Sequence, residues 1–134
     1  MSDEHHLPFA IVIDGEKVID HDRNKRLTGL QRRFLDEMDQ KMDQGIQLGK
    51  DQISEPNILQ RAQFVANTLI DALGKDNESL AAACCSYLAR RLPGLQQVKA
   101  KTEADGTTMI ELVFDRSYEQ AAIEQPVSFV NKPH

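Results

Sequence analysis

The stretch FAIVIDGEKVID, residues 9–20, decides how this chain begins to fold. Asp14-Gly15 sits between two extended runs. A two-residue type I′ turn needs positive φ at both central positions, which Asp and Gly tolerate best. The same signal returns in VKAKTEADGTTMIELVF, residues 98–114. Hairpins are therefore expected at both ends of the chain. The runs FAIVI and MIELVF are apolar on both faces, apart from Glu111, and such strands belong inside a sheet. The strand with Lys99 and Lys101 alternates, and EKVID is short and charged, which suits edges. The expected sheet has four strands, with the first apolar run beside the last.

Three helical patterns lie between the hairpins. In the first, residues 23–48, Leu27, Leu30, Phe34, Met38, Met42 and Ile46 recur at steps of three and four, one face of a helix. Gly45 and Gly49 then loosen the chain. The second starts at Ser54 as N-cap, with Pro56 in its first turn and Gly74 as its C′ residue. The third runs from Asp76 or Asn77 to Leu92 and stops at Pro93-Gly94. Its segment SLAAACCSYLA carries no charge and mostly small side chains, so it should be the most enclosed of the three.

These patterns predict an α+β fold in the order ββαααββ. Two Asp-Gly β-hairpins form a small antiparallel or mixed sheet, with three helices packed on one face. A three-helix bundle with peripheral hairpins is the alternative. Residues 1–8 read as a flexible N-terminus, 9–115 as a single domain, and 116–134 as a short helix followed by a docking arm.

A chain of 134 residues is long enough to bury a core without metal or disulfide staples. Its formal charge of −5 argues against a general polyanion binder, although charge can be local. No apolar run approaches the roughly 20 residues that span a bilayer, and MSDEHHLP lacks a signal-peptide pattern. A cytoplasmic protein without a membrane role is expected.

Catalytic motifs are lacking: no P-loop, GxGxxG, GxSxG or HExxH is present, and an enzyme is not the favoured reading. Neither cofactor nor metal is expected. Asp36, Asp39 and Asp43 share one helical face, but no second carboxylate stripe completes a metal shell. His5, His6 and His134 lie near the ends, and His21 follows the first hairpin without a nucleophile nearby. Adjacent Cys84 and Cys85 point about 100° apart on a helix and read as small buried hydrophobes.

The charge order of the first helical segment suggests a function. Arg23, Lys25, Arg26, Arg32 and Arg33 come first; Asp36, Glu37, Asp39 and Asp43 follow. A helix dipole favours the opposite order, and Gly29 weakens the helix further. Such a split is self-complementary between two antiparallel copies. The expected role is an interaction or regulatory protein that binds itself as a homodimer, or another cytosolic protein. Its expected contacts are Gly29, Arg32, Arg33, Asp36, Asp39, Asp43 and Phe64, the last lying off the apolar face of the second helix. The alternative is a nucleic-acid or anion binder using Arg23, Lys25, Arg26, Arg32 and Arg33. The scarcity of aromatic residues to stack bases weighs against it.

Overall fold

The computed structural model describes residues 9–124. The element order is β1 (Phe9–Ile13), β2 (Glu16–His21), α1 (Gly29–Asp43), β3 (Ile46–Leu48), β4 (Asp51–Ile53), α2 (Ile58–Gly74), α3 (Glu78–Arg91), β5 (Gln97–Thr102), β6 (Thr108–Val113) and α4 (Tyr118–Glu124). The expected ββαααββ order is thus incorrect. Among the described residues the fold is a mixed α+β arrangement with two sheets and four helices, because a further hairpin separates the first two helices and α4 follows the last strand. The described residues divide into two compact units, one of residues 9–22 and 94–124 and the other Arg23–Pro93.

The first unit holds a four-stranded sheet in the order β2-β1-β5-β6. Both hairpins are antiparallel, whereas β1 and β5 run parallel. The expected adjacency of FAIVI and MIELVF is wrong, and the lysine-bearing strand is central. Ala100 and Val98 are buried, while Lys99 and Lys101 emerge on the other face beside exposed Glu111 and Met109. A central strand needs two covered faces only where both are in fact covered, and this face opens towards solvent at the lysines. Phe9, Ala10, Ile11 and Val12 are all buried, as expected for β1.

The two Asp-Gly turns differ. Asp14 and Gly15 both have positive φ, in keeping with type I′ geometry. In the second turn only Gly106 does. Gly106 N–H donates to Glu103 O at 2.9 Å, and Glu103 N–H donates to Thr107 O at 2.8 Å. That is a three-residue loop with glycine in the left-handed position. Asp14 also accepts from Thr102 N–H at 2.7 Å and Thr102 Oγ1 at 3.0 Å, which ties the first turn to the end of β5. At the β2 edge, a bulge interrupts the register between Ile11 and Val12. Lys17 reaches Glu119 of α4 at 3.0 Å and lies 5.4 Å from the Tyr118 ring centroid.

The second unit contains α1, β3, β4, α2 and α3. The first two helices begin at reciprocal capping boxes. Thr28 Oγ1 accepts from Gln31 N–H while Gln31 Oε1 accepts from Thr28 N–H, and Asn57 and Gln60 repeat the exchange. Hence α1 starts at Gly29, not near Arg23, and α2 is capped by Asn57, not Ser54. Pro56 lies just outside and is buried.

Helix α1 ends at Asp43, and Ile46–Leu48 pairs with Asp51–Ile53 around Gly49-Lys50. Gly49 has φ +60, the sign a first central turn residue of type II′ requires. Gly45, at φ +113, passes so close to β4 that a Cβ would meet Ile53 O at 3.2 Å. At the other end of α2, the left-handed residue is Asp76 instead of Gly74. Asn77 N–H bonds Ala72 O at 2.8 Å and Asp76 N–H bonds Leu73 O at 3.3 Å, the paired bonds of a Schellman motif. Helix α3 packs against both α1 and α2 and buries Cys84, Cys85, Tyr87 and Leu88.

Candidate interaction surface

The sequence pattern places Leu30 and Phe34 in the core, but Leu30 is 73% exposed and Phe34 42%. Only Leu35 and Met42 of α1 are fully buried. The reason is the helix start. With Leu27 and Ile46 outside the helix, the six-residue stripe loses both ends, and the rotation of α1 is set by other contacts.

Those contacts are charged. Asp39 accepts from the Tyr87 hydroxyl, from Arg91 Nε at 3.0 Å and from Arg61 Nη1 at 3.2 Å. Arg61 also pairs with Asp43, and Arg91 Nη2 pairs with Asp36 at 3.1 Å. Arg61 Nε donates to Pro56 O at 3.2 Å, and the Arg91 guanidinium lies 5.5 Å from the Tyr87 ring centroid. Asp36, Asp39 and Asp43 therefore each have an arginine partner on α2 or α3. Burial raises the Tyr87 phenol above its ordinary range, and its bond to the Asp39 carboxylate adds to the shift. The Asp43 hydrogen bond raises Arg61. These ion pairs and hydrogen bonds tie α1 to α2 and α3.

The opposite side of α1 is open. A groove of 490 Å³ runs between α1 and α3. Leu30 and Phe34 form one wall, and Ser79, Ala82, Ala83 and Ser86 form the floor. Arg33 and Glu37 stand on its rim, exposed, without a hydrogen bond or ion pair among the described residues. Phe34 also borders a second hollow of 220 Å³ that includes Met38, Phe64 and Leu80. Phe64 is half-buried there. Gly29 is exposed at the start of the helix, and a Cβ would meet nothing within 4 Å.

The cations divide by task. Arg23 Nη2 donates to Leu92 O at 3.1 Å, and Arg32 Nη1 donates to Leu27 O at 3.0 Å. Lys25, Arg26 and Arg33 are exposed, and the first two precede the helix instead of riding on it. The expected run of charge along one continuous rod is thus replaced by a basic loop followed by a helix whose aspartates are internally paired.

Sequence reasoning did not identify Arg61, Tyr87 and Arg91 as partners of the α1 aspartates. Their signal was present: Arg61 interrupts an apolar helix, and Tyr87 and Arg91 are spaced i, i+4 on α3. Cys84 and Cys85 are buried free thiols, and burial pushes both up to about 12, so they are not nucleophiles at neutral pH. His21 stacks edge-on to Phe9, with ring centroids 6.1 Å apart. His5, His6, His134, the N-terminal segment 1–8 and the expected docking arm beyond α4 lie outside the described residues. Among the described residues, no group of three or more His, Cys, Asp or Glu side chains is arranged to hold a metal, and no helix is long and apolar enough to cross a membrane. Comparison with protein-family models, curated proteins and solved structures finds no match to this chain.

Proposed function

We propose that this is a protein-association domain that binds through the outward face of α1. The partner surface is a second copy of the chain or another protein. One observation carries the reading: Leu30 and Phe34 stand exposed beside an apolar groove while Asp36, Asp39 and Asp43 of the same helix pair with arginines of α2 and α3. Two adjacent large apolar side chains flanking a concavity fit an interface that admits a helix or loop. Of the residues expected from sequence, Arg33 borders the groove and Phe64 the neighbouring hollow. Gly29 leaves room at the end of the helix.

A photo-crosslinking amino acid in place of Leu30 tests the reading in the native cellular extract. A protein adduct is expected from this position and not from a control at Gln47, which is exposed on β3. Absence of any adduct from Leu30 or Phe34 positions would count against it.

Polyanion binding is the second reading, favoured by the exposure of Lys25, Arg26 and Arg33 in one short stretch. Its mark would be nucleic-acid binding that falls steeply with salt and is lost in Lys25→Glu/Arg26→Glu. No binding at low salt removes it.

A further inference from the structure

We infer that the occupant of the α1 face is a second copy of this chain, paired antiparallel across a twofold axis. This rests on the reading of that face as a protein interface and names the partner.

The argument begins with helix geometry. At 100° per residue, Leu30, Phe34 and Glu37 share the outward face of α1, and Arg33 lies on the same flank as Glu37. In an antiparallel pair related by a twofold axis, each flank of one helix meets the same flank of the other. Arg33 and Glu37 are four residues apart, about 6 Å along the axis. A twofold midway between them brings Arg33 of each copy level with Glu37 of the other. The same register sets the two Phe34 rings side by side, offset by about 3 Å along the axis.

The result is a small apolar centre bordered by two identical ion pairs, the arrangement a self-complementary patch requires. The charge evidence is specific to this pairing. Asp36, Asp39 and Asp43 already pair with Arg61 and Arg91, whereas Arg33 and Glu37 have no partner among the described residues. A partner of uniform charge would satisfy one of them and oppose the other. A second copy satisfies both. The small side chains Ala82 and Ala83 on the groove floor let the incoming helix approach closely.

Sedimentation equilibrium of the full chain over a wide concentration range tests this. The wild type should form a reversible dimer, and Phe34→Asp should leave it monomeric. Arg33→Glu and Glu37→Arg should each weaken the dimer about tenfold, since both pairs turn from attraction to repulsion. The double variant R33E/E37R should recover most of that loss. Mixing the two single variants should give a heterodimer tighter than either homodimer, because one face is then wholly acidic and the other wholly basic. Circular dichroism checks that each variant is folded; if Phe34→Asp is not, Leu30→Gln, at a more exposed position, serves for the same loss.

A strict monomer, a dimer indifferent to Phe34→Asp and Leu30→Gln, or a double variant no better than the singles overturns the inference. If the chain is monomeric but the crosslinker at Leu30 captures a different protein, this inference fails while the broader reading stands. If neither occurs, both fail.

Discussion

Arg61 binds Asp39 twice through a single nitrogen: Nη1 lies 3.2 Å from the carboxylate oxygen and 3.1 Å from the main-chain carbonyl. One guanidinium thus fixes both the side chain and the backbone of the facing helix. The Asp39 side chain is 30% exposed and Arg61 17%, so the pair is sheltered without being sealed.

Removing Asp39 should be costly, because Tyr87 and two arginines lose an acceptor. Asp39→Ala is expected to destabilise by about 2 kcal/mol, less than a fully buried pair because solvent reaches the site. Urea unfolding measures it. A double-mutant cycle of Asp39→Ala with Tyr87→Phe should show coupling of roughly 1 kcal/mol; additive effects would mean the hydroxyl and the carboxylate are not coupled.

Alkaline pH should destabilise the fold. Cys84 and Cys85 titrate near 12 when folded and near 8.5 when unfolded, and the Tyr87 phenol is also raised. Above the unfolded values the unfolded chain has released protons that the folded chain retains. Stability is therefore complete below about pH 8 and falls as pH rises, by up to about 1.4 kcal/mol per pH unit for each group that titrates only when unfolded. Replacing both cysteines with alanine should flatten the decline below about pH 10 in urea midpoints taken across the range. An unchanged slope would contradict the burial argument.

The Schellman turn after α2 carries an aspartate where glycine is at ease. Asp76 has φ +58. Asp76→Gly is expected to stabilise by about 0.5 kcal/mol, the relief of left-handed strain offset by unfolded-chain entropy. Asp76→Val should destabilise by about 1 kcal/mol. At the other end of α2, Asn57→Ala should cost about 1 kcal/mol through the lost cap. Thermal midpoints separate these three variants.

Two glycines should respond oppositely to alanine. Gly45→Ala forces a Cβ against Ile53 O and Gln52 Nε2 at φ +113, and a loss of about 2 kcal/mol is expected. Gly29→Ala meets open space in the first helical turn and should gain a few tenths of a kcal/mol, about 0.5 at most. Equal effects would show that the backbone geometry at Gly45 is not the constraint.

Much of the local structure was legible. Asp14-Gly15 specifies its turn, and Pro93-Gly94 stops α3 as expected. The helix starts were also written in the chain, as Thr28-x-x-Gln31 and Asn57-x-x-Gln60, but apolar periodicity pointed elsewhere for α1 and Ser54 with Pro56 did so for α2. Gly49-Lys50 similarly marks a hairpin too short to show alternation. The candidate surface was harder to read. Leu30 and Phe34 look like core residues because their spacing is the spacing of a core, and periodicity alone does not say which side of a helix faces inward.

What the sequence by itself determined is local: where turns bend, where helices are capped, and which residues carry charge. These depend on a few neighbouring atoms. Only the tertiary structure decided that β1 lies beside β5, and that α1 turns its aspartates towards Arg61 and Arg91 while leaving Phe34 outside. Partners 18 to 55 residues apart make that choice. A one-dimensional pattern holds the charges but not the distance between them, and electrostatic pairing depends on that distance.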